Sequence, residues 1–195
     1  MSHCPYGTQI EKGAIPVAEA LGDKIDFSVK FVDYAMHGEK EIKEQMNQYC
    51  IQSEQNDKFL TYLKCFLKEG NGDACLTEAK VDKTKMASCV SKIDTQYSIM
   101  KDFADKSKWL SGTYPPFNIH KTENDAYGVQ GSPTLVINGV QASAGRDSAS
   151  LMTAICGAFN TAPDACKTAQ MSSTQPSPGF GYSAASGSTG SATCG

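Results

Sequence analysis

No run of apolar residues in this 195-residue chain approaches the roughly eighteen needed to cross a bilayer, and no charged-then-apolar leader precedes its first motif. No membrane span is expected, and the chain as written carries no address. A dominant charge is lacking too: the net charge is −3, with basic residues scattered among acidic ones. That mixture predicts neither a nucleic-acid surface nor a strongly anionic partner. Histidine is scarce, at three residues. The cysteines, at positions 4, 50, 65, 75, 89, 156, 166 and 194, form none of the C-x-x-C knuckles of a zinc site, so neither metal nor cofactor is called for.

Cysteine itself is abundant. Eight in this length favour an oxidising compartment. The expected location is therefore extracytoplasmic (periplasmic, cell-envelope or secreted), with the sequence a fragment or a mature form whose leader lies upstream.

From Thr8 to Leu21, Ile10, Ala14, Val17, Ala18 and Leu21 recur at helical spacing, with Glu11, Lys12 and Glu19 on the other side. This predicts an amphipathic helix, kinked where Pro16 removes an amide donor. In "KIDFSVKFVDY", Ile25, Phe27, Val29 and Phe31 alternate with Asp26, Ser28 and Lys30, the period of a half-buried strand. Consecutive helices follow from about Glu39 to Lys106, through "EKEIKEQMNQYCI", "DKFLTYLKCFLKEG", "DACLTEAK", "KMASCVSKI" and "YSIMKDFA". A turn-rich stretch then leads to "SPTLVINGVQASAG", two short strands joined by Asn138-Gly139. A last helix runs through "DSASLMTAICGAFN", capped by Asp147 or Ser148. After Lys167 no charged residue appears, and the Ser/Gly/Ala/Thr/Pro composition predicts a flexible tail over 167–195.

This order of pieces, and above all the motifs "SHCPYG" and "GSPTLVING", resembles the DsbA-like group of thioredoxin-fold proteins over roughly residues 1 to 166. The stretch "QYCIQSEQNDKFLTYLKCFL" is similar to the cysteine-bearing helical inserts of bacterial and archaeal relatives. The resemblance implies an α/β, thioredoxin-like fold with an inserted helical lobe. Its core would be residues 1–37 and 109–166, the lobe 38–108, and the tail 167–195. It also implies a cis Pro133 facing a reactive Cys4. Two departures stand out. Gly7 replaces the family's second cysteine, and only Met1, Ser2 and His3 precede Cys4 where the family has a strand. Without that first strand, "IDFSVKF" and "TLVING" would lack their shared neighbour and leave ladder groups unpaired. Truncation upstream of Met1 is the expected cause.

The chemistry expected of Cys4 follows from its setting. A thiolate attacks disulfides, so reactivity needs a lowered pKa. Pro5 at the first helical position leaves Cys4 at a helix N-terminus, where unpaired amides favour negative charge, and His3 would add positive charge. With Gly7 in place of a second cysteine, the expected activity is monothiol thiol–disulfide exchange, isomerase or reductase-like. Its substrates would be extended cysteine-containing polypeptides, with a small thiol or a membrane redox partner completing the cycle. Pro5, Tyr6, Ser132, Pro133 and Thr134 would face substrate, a cis bond presenting the Ser132 backbone to an extended peptide. An ordinary trans turn is the plainer alternative at Pro133, and Tyr6 could do no more than shield the thiol. Cys194 ends a tail whose r.m.s. reach is on the order of 25 to 30 Å, and so is a candidate resolving thiol, or else a stray or intermolecular one. The competing reading is a non-catalytic thioredoxin-like peptide-binding module that lost turnover.

The other six cysteines read as structure. Cys65 and Cys75 flank "EGNGD" about one helical turn in on either side, which brings them face to face. Cys50 then pairs with Cys89 by elimination, and Cys156 with Cys166 closes "CGAFNTAPDAC"; buried free cysteine is the alternative for all three pairs. His37 and His120 read as a helix-entry side chain and a loop surface residue. Trp109, Tyr114 and Phe117 either line a peptide groove or anchor their own loop.

Overall fold

Helix α1 (Pro5–Leu21) begins at a proline because its first position needs no amide donor, and Cys4 before it takes an extended cap conformation. Pro16 sits inside the helix without ending it. The structure, a computed structural model, describes residues 1–183 and Cys194. Among these the chain is mixed α/β but mostly helical. Helices α2 (Glu39–Glu54), α3 (Asn56–Glu69), α4 (Gly72–Glu78), α5 (Lys83–Tyr97), α6 (Ile99–Ala104) and α7 (Lys121–Tyr127) precede strands β1 (Leu135–Ile137) and β2 (Val140–Ala142). Helices α8 (Ser148–Cys156) and α9 (Ala165–Thr168) follow. No helix among the described residues is long and apolar enough to cross a membrane.

The lobe from α2 to α5 forms because each helix carries an apolar stripe and its own stop. Asn71 and Asp82 cap α4 and α5 through their side chains, and Gly70 ends α3 in a left-handed conformation, φ 74°. Ile42, Ile51, Phe59, Tyr62, Leu63 and Phe66 meet in one fully buried core. Cys50–Cys89 ties α2 to α5, and Cys65–Cys75 ties α3 to α4. With its ends 39 positions apart, Cys50–Cys89 is worth about 4 kcal/mol by chain-entropy reasoning.

Residues 25–33 differ from the strand their alternation predicts: among the described residues they run extended with no strand beside them. Their odd members are satisfied on one edge. The Val29 N–H and C=O bond the Gln52 amide at 2.7 and 3.0 Å. Phe31 N–H donates to His120 Nδ1, and Phe31 C=O accepts from Asn124. Asp33 C=O accepts from Phe117 N–H. Side chains and a loop thus replace a neighbouring strand. On the other edge, the backbone groups of Asp26, Ser28, Lys30 and Val32 meet no partner among the described residues. The period-two pattern is present; the ladder is not, because a ladder needs a second chain segment.

Strands β1 and β2 pair antiparallel through a two-residue turn, Asn138 (φ 50°) and Gly139 (φ 81°), the left-handed pair such hairpins require. Helix α8, capped by the Asp147 side chain, packs on α1 around Val17, Leu21, Leu151 and Met152. That approach is close: a Cβ at Gly13 would collide with the Arg146 carbonyl. Cys156–Cys166 then ties α8 to α9.

The expected flexible tail is corrected over its first part. Residues 172–183 lie as a strap across α1 and α3, and their own backbone explains why. Lys12 Nζ donates to the carbonyls of Ser177, Gly179 and Gly181 at 2.6, 2.8 and 2.6 Å. Gln9 donates to Pro176 O, while Gly179 N–H reaches Pro5 O and Gly181 N–H reaches Leu67 O. Phe180 sets its edge against Phe66 and His3. Positions 184–193 and 195 of the expected tail lie outside the described residues.

Candidate functional site

The site is built where α1 begins. Cys4 is completely buried, and its sulfur accepts the Gly7 N–H at 3.3 Å while its own carbonyl accepts the first intrahelical bond, from Thr8 at 2.9 Å. The sulfur therefore sits where amide dipoles converge. Against it lies the turn before β1: the Ser132–Pro133 bond is cis, and Ser132 O is 3.4 Å from Cys4 Sγ. A reduced Cys4 would donate its S–H there.

Cys4 is not a lone thiol. It is bonded to Cys194, 190 residues away. Cys194 also pairs through its backbone: its N–H donates to Ser132 O at 2.6 Å, and its C=O accepts the Ser132 N–H at 2.9 Å, an antiparallel bridge. The end of the chain thus occupies the edge that the sequence assigns to an extended substrate.

Gly7 has a physical reason. A Cβ there would stand 3.0 Å from Met1 O and 3.0 Å from Ser132 Oγ. The Met1 amine is buried beside it, donating to Ser132 Oγ at 3.1 Å, and burial lowers its pKa. The space a second side chain of the motif would need is filled by Met1 and Ser132.

No protein-family model, curated protein or solved structure matches this chain.

His3 does not supply the expected positive charge. Burial, helped by Lys40, drives its pKa down to about 4, and its ring packs edge-on against Phe66 and Phe180. The group beside the Cys4 sulfur that favours negative charge is the helix end, through the Gly7 N–H. Pro5 is exposed, and Tyr6, half-buried, carries Arg146 over its ring at 5.1 Å. Thr134 turns its hydroxyl back to Gly131 O. His37 bonds Glu41 at 2.9 Å at the entry to α2. His120 corrects its expected surface position: it is buried, its pKa lowered to about 4 by desolvation, with Nδ1 taking the Phe31 N–H. The loop aromatics are anchors, with Phe117 fully buried, Trp109 packed on Phe103 and bonded to its carbonyl, and Tyr114 packed on Tyr34.

Sequence reasoning missed Glu11 and Lys12, assigned to a solvated face. They are 9% and 3% exposed. Desolvation pushes the Glu11 carboxyl up to about 7, and its Oε2 has no hydrogen-bond partner among the described residues. Nothing local in the sequence marks this, because the strap that covers Lys12 comes from more than 160 residues away. No cluster of three or more His, Cys, Asp or Glu among the described residues could hold a metal ion.

Four disulfides join all eight cysteines, the mark of a protein of an oxidising compartment.

Proposed function

We propose that the protein is an extracytoplasmic thiol–disulfide exchange protein of thioredoxin-like, DsbA-like organisation, with Cys4 and Cys194 as its working pair. The observation that carries this reading is the position of one sulfur: Cys4 at a helix N-terminus, 3.4 Å from Ser132 O and bonded to a cysteine that pairs with Ser132 as a strand would. A resolving partner from the chain's end stands in for the cysteine that Gly7 displaces, so the monothiol scheme becomes a dithiol one.

The chemistry balances. A substrate thiolate attacks Cys194 Sγ, since Cys194 is partly exposed and Cys4 is not. The Cys4–Cys194 bond breaks, and Cys4 leaves as a thiolate held by the Gly7 N–H; a better-stabilised leaving thiolate departs faster. A second substrate thiolate then attacks the substrate sulfur of the mixed disulfide and releases Cys194. The substrate loses two electrons and the pair gains them. In reverse, the Cys194 thiolate attacks a substrate disulfide and the Cys4 thiolate then attacks Cys194 Sγ and releases the substrate thiolate. A non-catalytic peptide-binding module has less support, because the Ser132 edge is already taken by the chain itself.

The test is stepwise reduction by glutathione with alkylation and mass mapping. Cys4–Cys194 is expected to open first of the four, and Cys4→Ser to abolish oxidation of a dithiol peptide. Cys4→Ser, offered that peptide in its disulfide form, should hold it on Cys194 as a mixed disulfide that no second protein thiol resolves. The proposal fails if the pair resists reduction until the whole protein unfolds, or if reduced Cys4 titrates at or above about 8.5, the value of free cysteine.

A further inference from the structure

Residues 176–183 sit on α1 and α3 as a bound peptide would, held mainly through their backbone. Gln9 and Lys12 donate to the carbonyls of Pro176, Ser177, Gly179 and Gly181, and the N–H groups of Gly179 and Gly181 reach the Pro5 and Leu67 carbonyls. One aromatic ring adds the specific contact. Phe180 lies edge-on to Phe66 and His3, at 5.3 and 5.7 Å between ring centres. Gly70 leaves it room, since a Cβ there would stand 2.7 Å from that ring. Gly179 and Gly181 flank the ring at φ 76° and 96°, where other residues are strained.

The strap sits shallowly and is held by its ends. Phe180 and Tyr182 stay 36% and 49% exposed. Among the described residues Lys12 makes no ion pair, so neutral carbonyls alone meet its buried ammonium. Taking an ammonium out of water is costly, and neutral acceptors offset that cost only in part. Tethering supplies the remainder. The disulfides Cys156–Cys166 and Cys4–Cys194 fix the chain on both sides of the strap and keep it at a high effective concentration over its site. Opening Cys4–Cys194 releases one of these two ends. Departure of the strap would uncover an ammonium, an amide, two carbonyls and an aromatic notch. Water can satisfy the polar groups, but the notch needs another ring.

We propose that this surface of α1 and α3 is a docking groove for a glycine–aromatic–glycine segment of another polypeptide, and that residues 176–183 are its built-in occupant, displaced when Cys4–Cys194 opens. The groove begins at Pro5, the residue after Cys4, so a docked chain lies beside the disulfide it would exchange with. The proposal rests on the exchange reading for what opens the strap; the groove's preference for its ligand does not.

The test uses the full chain and the blocked peptide "PSPGFGYS", the strap's own sequence, with binding followed by calorimetry. Phe180→Ala empties the notch, leaves every groove residue in place, and should bind the peptide at least tenfold more tightly than the native oxidised protein. Cys194→Ser removes the tether without a reductant and should gain at least fivefold. Replacing the peptide's phenylalanine by alanine should cost at least tenfold in either variant, and Lys12→Met added to Phe180→Ala should abolish the gain. The proposal is overturned if Phe180→Ala binds no more tightly than the native protein, if the alanine peptide binds equally, or if Cys194→Ser gains nothing. It is also overturned if Cys194→Ser dimerises with rising concentration and the peptide fails to compete, which would make a second copy's strap the occupant. The expected binding, in a protein whose Cys4–Cys194 pair oxidises no dithiol, would sink the exchange reading and keep the groove.

Discussion

The two sides of the molecule are built to different standards. The α2–α5 lobe closes on itself: its apolar stripes meet in a fully buried core, two helix starts carry side-chain caps, and two disulfides cross-link its helices. The side that holds Cys4, the extended segment and the hairpin is thinner. Its sheet has two strands, one edge of residues 26–32 is open, and it depends on a strap and a disulfide from the far end of the chain. The lobe is finished by local interactions. The site half is finished by distant ones, and that is where opening and exchange can happen without unfolding the rest.

Four substitutions and one titration would sharpen or break this contrast. The largest effect belongs in the lobe: Phe59→Ala should cost about 3–5 kcal/mol in urea unfolding, as a fully buried ring leaves a cavity. Removing Cys50 and Cys89 together should cost about 4 kcal/mol. A loss below 1 kcal/mol for either would mean the lobe is not the rigid half. Next comes Lys12→Met, which leaves three strap carbonyls without their donor. About 1–3 kcal/mol should be lost, with residues 172–183 cut by protease before any lobe residue and Cys4–Cys194 reduced more readily. An unchanged strap would show that the site half stands alone. Asp147→Ala removes the α8 cap and should cost about 1 kcal/mol in thermal unfolding.

The smallest effect is the pH slope. Burial raises Glu44 to about 7, so folding favours its protonated form. Its contribution is present below its ordinary carboxylate value near 4.5 and is lost as pH rises toward 7. His3 and His120, lowered to about 4 from 6.5, act oppositely, their contribution being lost as pH falls through that range. Stability measured from pH 4.5 to 7 should therefore rise more steeply with pH in Glu44→Gln than in the native protein. An identical slope would place the Glu44 proton elsewhere.

What the sequence made legible follows the same division. The helices of the lobe, the Asn138-Gly139 hairpin and the Asp147 cap were readable because each is encoded within a few residues of itself. The pairing of Cys65 with Cys75 was readable for the same reason, since ten positions separate them. The mouth of α1 at Cys4-Pro5 was equally plain. Hidden were the features that need two distant segments. The bond of Cys194 to Cys4, across 190 positions, was legible only as one of three fates for that thiol: resolving, stray or intermolecular. His3 loses its charge because Phe180 helps to cover it, and the 25–33 alternation stays without a ladder because among the described residues no strand lies beside it. Residue type announces a strand's faces but not whether its edges find company.

The Lys12 contact has one further consequence. Its three acceptors are main-chain oxygens of Ser177, Gly179 and Gly181, so the lysine reads the strap's path and not its side chains. Gly179 and Gly181, at φ 76° and 96°, and Phe180, set against Phe66 and His3, are the positions that path holds to type. Elsewhere the strap's letters can drift with little penalty, provided the lysine beneath it stays.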